Sequence, residues 1–188
     1  MCGIVGFVND KDNKKTIINT MMDRIVHRGP NSSGEYIDKH VALGFRRLSI
    51  IDLEGGTQPI YNEDRTKIII FNGEIYNYQP LREELITAGH VFQTHADTEV
   101  LLHGYEEWGT ELLQKIRGMF AFAIWDNEKN ELFGARDHFG IKPYYYAEMN
   151  GTFMFGSEIK SFLPHTDFNK QLNKEALKPY MTFQYSPL

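Results

Sequence analysis

Apolar positions recur along this chain in two rhythms. Ile4, Val5, Phe7 and Val8 form a short strand-like run at the N-terminus. Between Lys14 and Val26, the residues Ile17, Ile18, Met21, Met22 and Ile25 are spaced 1, 3, 1 and 3, the stripe of an amphipathic helix. His27-Arg28-Gly29-Pro30 should stop it, because Gly suits a left-handed cap and Pro cannot continue a helix. Short strands are predicted over 35–37 and 41–45. Lys67 to Phe71 reads KIIIF, a buried β-branched strand ending at Asn72-Gly73-Glu74. Pro80 to Ala88 is predicted helical, with Pro in the first turn, Leu81 and Leu85 one turn apart and Gly89 as the stop. Another helix starts at Asp97-Thr98, a good N-cap pair, and runs through Val100, Leu101 and Tyr105 to about Trp108.

From Gly118 the helical stripe gives way to strands separated by turns. Asp126 to Asn130 reads as one hairpin connection, and Asn150-Gly151 between YYYAEM and TFMF as a two-residue one. Tight turns make neighbouring strands antiparallel, whereas the first half interleaves strands with helices. The pattern predicts an α+β sandwich of antiparallel sheet covered by helices. A helix is expected from about Lys174 to Met181, in a tail that reads as the start of a connection.

Composition narrows the function classes. With 188 residues, 41% hydrophobic and 24% charged, the chain is long enough for a well-buried core and has the make-up of a globular domain. A net charge of −5 and no basic patch argue against nucleic acid or an anionic membrane surface as partner. One Cys excludes an internal disulfide, and no signal peptide or membrane span is visible, so a cytoplasmic location is expected. The 7 His residues show no metal-ligand spacing and there is no nucleotide-binding glycine loop, so neither metal nor cofactor is expected. Ser157-Glu158-Ile159-Lys160 fits S-x-x-K, but its companion motifs are absent, and a helix start is the better account.

The candidate chemistry centres on Cys2. Removal of Met1 would leave thiol and α-amine on one residue, and an amine with a reference pKa near ~8 serves as general base for its own side chain. The alternative is a buried, inert thiol. Asn72-Gly73 offers an amide and a backbone N–H to a developing oxyanion, or is simply a turn. Arg47 offers a planar fork for a carboxylate; Arg46 and Arg47 are adjacent, so at most one lines a given site. Glu74 and Asp97 offer charges for an ammonium group, although Asp97 also suits an N-cap.

In order, MCGIVGF, HRGP, FRRLSIID, FNGEIYNY, Asp97-Thr98-Glu99, GMFAFAIWD and RDHFGIKPYYY resemble the N-terminal glutaminase domain of glutamine-hydrolysing asparagine synthetases, class II glutamine amidotransferases. The resemblance covers about residues 2–165 and implies the N-terminal nucleophile hydrolase fold, a four-layer α-β-β-α sandwich of two antiparallel sheets. It implies a glutaminase domain over 1–165 and a connecting tail over 166–188. Cys2 would attack the side-chain amide of L-glutamine, releasing ammonia through a γ-glutamyl thioester. Asn72 and the Gly73 N–H would form the oxyanion hole. Arg47 would hold the α-carboxylate, Glu74 and Asp97 would face the α-amino group, and backbone near Ile50 and Ile51 would assist. ATP and Mg would belong only to a C-terminal synthetase domain, the expected partner, whose pyrophosphate-loop motif does not occur in this chain; a homodimer is one option for assembly. The glutaminase half of a sister amidotransferase and a non-enzymatic relative that kept the fold are the competing readings.

Overall fold

A computed structural model describes residues 2–48 and 57–184. In chain order the elements are β1 (Gly3–Val8), α1 (Lys14–Asp23), β2 (Ser32–Ile37), β3 (Val41–Arg47), β4 (Ile60–Tyr61), β5 (Lys67–Ile75), α2 (Tyr78–Ala88), α3 (Asp97–Trp108), α4 (Leu112–Lys115), β6 (Gly118–Asp126), β7 (Glu131–Arg136), β8 (Tyr145–Met149), β9 (Thr152–Gly156) and α5 (Lys174–Phe183). The strands form two antiparallel sheets, one ordered β2-β3-β1-β9-β8 and the other β4-β5-β6-β7. Side-chain alternation then assigns the layers.

Ile4, Val41, Leu43, Phe45 and Phe155 of the first sheet meet Ile68, Ile70, Ala121, Ala123 and Trp125 of the second in one cluster between the sheets. The opposite face of the first sheet, with Val5, Phe7, Ala42 and Met154, packs on Ile18, Met21, Met22 and Ile25 from α1 and its exit. The opposite face of the second sheet, with Ile69, Phe71, Phe120, Phe122 and Ile124, packs on Leu81 and Leu85 of α2 and on Val100, Leu101 and Tyr105 of α3. Two sheets back to back, each covered by helix, give the expected α-β-β-α sandwich.

Both hairpins form as predicted. β6 and β7 pair from Asp126↔Glu131, and Asn150 and Gly151, at φ 52° and 75°, close β8 onto β9 with the positive dihedrals that a two-residue hairpin demands. Three expectations are corrected. Asn72-Gly73 is no turn: β5 runs through it to Ile75, pairing Asn72 with Ala121 and Gly73 with Phe120. α1 ends at Asp23, and Val26–Arg28 form a separate 3₁₀ turn. Ser157 to Lys160 opens only a 3₁₀ turn over Ile159–Ser161.

Candidate active site

Cys2 precedes β1, and its side chain packs partly buried against the cluster between the sheets, on the same face of the strand as Ile4. The Leu48 N–H lies 3.5 Å from its Sγ, and the Leu48 carbonyl oxygen is 3.9 Å from that sulfur. Arg28 Nε donates to the Cys2 carbonyl at 3.1 Å. One step on, the Ile4 N–H donates to Ser157 Oγ at 3.0 Å and the Ser157 N–H returns to the Ile4 carbonyl at 2.8 Å. The thiol thus stands at the end of a strand anchored on both edges, with the inter-sheet core beneath it.

Strand alternation brings two other candidates to the same inner face. In β3, Val41, Leu43 and Phe45 point between the sheets, so Arg47 follows them there. Arg46 faces the other way, where its Nε donates to the Met22 carbonyl at 3.2 Å and its Nη2 to Asp23 Oδ1. The register Gly3↔Arg46, continued by one residue, sets Cys2 opposite Arg47. In β5, Ile68 and Ile70 point inward, and Asn72 continues that row at 3% exposure. The Asn72 amide nitrogen is buried with no hydrogen-bond acceptor among the described residues. Beside it, a Cβ on Gly73 would lie 2.3 Å from the Met119 carbonyl oxygen, so only glycine lets β5 approach β6 so closely.

Glu74 is exposed at the end of this row, and Asp97 approaches the strand from the first turn of α3. Asp97 does not act as the N-cap residue, which is Ala96; its Oδ2 accepts from the Ile75 N–H at 2.8 Å. Burial raises the Asp97 carboxyl above the usual range, and the Glu74 charge adds to the rise, while backbone donors from Ile75 and Thr98 pull against it. Glu99 folds back to accept from the N–H groups of Gln93 and Thr94 at 2.6 and 2.7 Å, fixing the segment that leads into Asp97. Although burial opposes its charge, these donors and the nearby His103 hold Glu99 at about 2. Ile50 and Ile51 lie outside the described residues, as does Met1.

Arg28 and Glu158 were not singled out by spacing. Arg28 entered only as part of a helix stop, yet it holds the Cys2 carbonyl and donates from Nη1 to Glu158 Oε1 at 3.2 Å. Glu158 also meets His27 Nε2 at 2.8 Å and Lys160 Nζ at 3.0 Å. Burial works against its charge, but these three partners outweigh it and bring the carboxyl down to about 2. A recess of about 410 Å³ opens here, lined by Arg28, Pro143, Tyr145, Ser157 and Lys160; Arg47, Asn72, Gly73 and Asp97 do not line it. The conjunction of HRGP with a distant S-E-I-K was the available signal. Asp137, in RDHFGIKP, organises its own loop by accepting from Phe120, Ile141 and Lys142 N–H groups at 2.9 to 3.2 Å.

Comparison with known proteins places this geometry in a lineage. A family model described as a glutamine amidotransferase domain matches residues 1–188. The asparagine synthetase [glutamine-hydrolyzing] 1 of Bacillus subtilis (strain 168) is 51% identical over 192 residues, covering 100% of this chain and 30% of the relative. Asparagine synthetase B of Escherichia coli (strain K12) is 41% identical over 170 residues, covering 87% of this chain and 30% of the relative. The chain thus spans about 30% of the length of these relatives. Among solved structures, the B. subtilis glutamine phosphoribosylpyrophosphate amidotransferase superposes with a TM-score of 0.71 at 22% identity, covering 86% of this chain and 43% of that one. An allosteric regulatory enzyme of purine biosynthesis gives 0.75 at 21%, covering 87% and 43%, and both likenesses support the N-terminal nucleophile hydrolase fold. With Cys2, Arg47 and Asn72 arrayed on the inner faces of that sandwich, the chain belongs to the glutamine amidotransferase domain family and is related to the glutamine-hydrolysing asparagine synthetases.

Proposed function

We propose that this domain hydrolyses the side-chain amide of L-glutamine at Cys2 and delivers the ammonia to an ATP-dependent synthetase region of a longer protein. The observation that carries the reading is the buried Asn72 amide nitrogen, which has no acceptor among the described residues and lies on the inner face of β5, the face that packs towards Cys2. A buried donor left unpaired costs about 1–3 kcal/mol, a cost explained if an oxyanion is its intended partner.

After loss of Met1, the α-amine of Cys2 takes the thiol proton, and the sulfur attacks the amide carbon. The carbonyl π electrons move to oxygen, where the Asn72 amide and the Gly73 N–H receive the charge. The tetrahedral species collapses with cleavage of the C–N bond; the protonated amine gives its proton to the departing nitrogen, and ammonia leaves. Water then attacks the thioester, aided by the same amine, and releases glutamate and the thiol. Arg47 holds the α-carboxylate of glutamine, with backbone near Ile50 and Ile51 assisting, and Glu74 and Asp97 face its ammonium. A cation at one end and carboxylates at the other fix the register of the zwitterion. This domain uses no cofactor; ATP and Mg serve the synthetase region, where aspartate is the favoured acceptor. The work is expected in the cytoplasm.

The test is glutamate release from the purified chain together with its intact mass. Cys2→Ala should abolish hydrolysis while the fold persists, and active protein should lack Met1. Full activity in Cys2→Ala would remove the nucleophile from the scheme, and activity with Met1 retained would remove the free amine.

A further inference from the structure

Away from Cys2, folding gathers groups that the linear sequence keeps apart. Glu63, in the turn between β4 and β5, His90, just past α2, and His103, in the middle of α3, each present one ligand atom, and these atoms all lie within 4.8 Å of one another. His103 Nδ1 is 3.8 Å from Glu63 Oε2 and 2.8 Å from Glu106 Oε2, while His90 Nδ1 is 3.8 Å from that same Glu106 oxygen. Metal–ligand bonds of about 2.0–2.1 Å at tetrahedral angles place donors about 3.3 Å apart, a value these separations straddle.

The outer nitrogens are arranged to match. His103 Nε2, buried and without a hydrogen-bond partner among the described residues, lies 3.7 Å from Glu99 Oε1, and His90 Nε2 lies 3.3 Å from Glu107 Oε2. A metal-bound imidazole characteristically turns its other N–H to a carboxylate, which fixes the tautomer and raises ligand basicity. Asn62 Nδ2 donates to Glu106 Oε1 at 2.6 Å, leaving Oε2 of that carboxylate for the histidines. Four carboxylates around two imidazoles give the cluster a surplus of negative charge. A cavity of about 270 Å³ lined in part by Glu63 and Glu99 borders the cluster on one side; His90, His103 and Glu106 do not line it.

We propose that Glu63, His90 and His103, with Glu106 as the fourth donor, bind one divalent transition-metal ion of the Zn²⁺ class. Two nitrogens with carboxylate oxygens suit such an ion and not Mg²⁺ or Ca²⁺, which take oxygen shells. The ion joins the β4–β5 turn, the segment after α2 and the body of α3. The Val91 N–H already donates to Glu63 Oε1 at 3.0 Å across part of that junction. Its place is structural: it fastens the stretch 90–96 that leads into Asp97.

The test is equilibrium dialysis of metal-stripped chain against Zn²⁺, with bound metal counted by mass spectrometry. Wild type and Cys2→Ala should each bind one ion per chain, and Zn²⁺ should raise the Tm of both. His103 is fully buried and its replacement risks unfolding, so the ligands are tested through the more accessible His90→Ala and Glu63→Gln. Each should weaken binding by more than the roughly 10–100-fold expected when an outer partner is removed, as in Glu107→Gln. The proposal is overturned if no stoichiometric ion is bound, if Cys2→Ala abolishes binding, or if folded His90→Ala and Glu63→Gln bind as wild type does. Because the readout is metal content, its failure leaves the glutaminase reading untouched, and loss of glutaminase activity leaves this one untouched.

Discussion

Replacing Asn72 by Leu exchanges one forked side chain for another with the same number of heavy atoms. It faces Ala121 across the ladder, so little has to move. The substitution deletes an amide nitrogen that is buried without an acceptor among the described residues. Removing that desolvated donor should return about 1–3 kcal/mol to the folded state. For a chain of this length each kcal/mol moves Tm by about 2–4 °C, so a rise of roughly 2–12 °C is expected in scanning calorimetry. Catalysis should move the opposite way. Loss of one oxyanion donor costs about 10²–10³ in kcat, or about 2.7–4 kcal/mol, whereas KM for glutamine should change little because the donor acts after binding. The assay is glutamate release at saturating glutamine beside the thermal scan. A kcat within threefold of wild type, or a lower Tm accompanying the loss of rate, would refute the reasoning, since the amide would then be structural.

Gly73→Ala should lower Tm by several degrees, because a Cβ 2.3 Å from the Met119 carbonyl oxygen forces β5 from β6; overpacking of this kind costs about 1–3 kcal/mol. An unchanged Tm would show that the strands part freely. Glu158 has its carboxyl lowered to about 2, so its contribution to stability is complete above the ordinary carboxylate range and is lost as pH falls from about 4.5 towards 2. Glu158→Gln should flatten acid unfolding in that window, and a curve parallel to wild type would count against the cluster with His27, Arg28 and Lys160. Asp97, raised by burial, should protonate at a higher pH than an ordinary Asp, so KM for glutamine should climb early as pH falls. Asp97→Asn keeps an oxygen for the Ile75 N–H; it should hold Tm at neutral pH, raise KM and remove that pH dependence, and retention of the wild-type pH profile would exclude the ammonium role.

Much of this architecture was legible because hydrophobic period reports burial directly. The stripe in α1, the KIIIF run and the Asn150-Gly151 turn each appear where predicted, since each is decided by neighbours close in sequence. The end of β5 lies beyond the sequence expectation because polar residues stop an apolar run without stopping a strand; Asn72, Gly73 and Glu74 keep the ladder. Asp97 looked like a cap because capping is the local use of such a residue, but a partner 22 positions away, Ile75, takes its oxygen. The split of Arg46 from Arg47 followed from alternation, although which one faces inward depended on the sheet's orientation. The grouping of Glu63, His90 and His103 had no linear signature, for it exists only once α3 lies across the β4–β5 turn.

β1 sits third in its five-stranded sheet, paired with β3 on one edge and with β9 on the other. During synthesis β1 therefore waits for its second neighbour, whose partner residues Phe153 to Gly156 emerge about 150 positions later. At roughly 5–20 residues per second that interval is about 8–30 s. For that time β1 is a strand with one edge unpaired. Order of synthesis thus separates the making of β1 from its enclosure, and the surroundings of Cys2 are complete only once β9 has emerged.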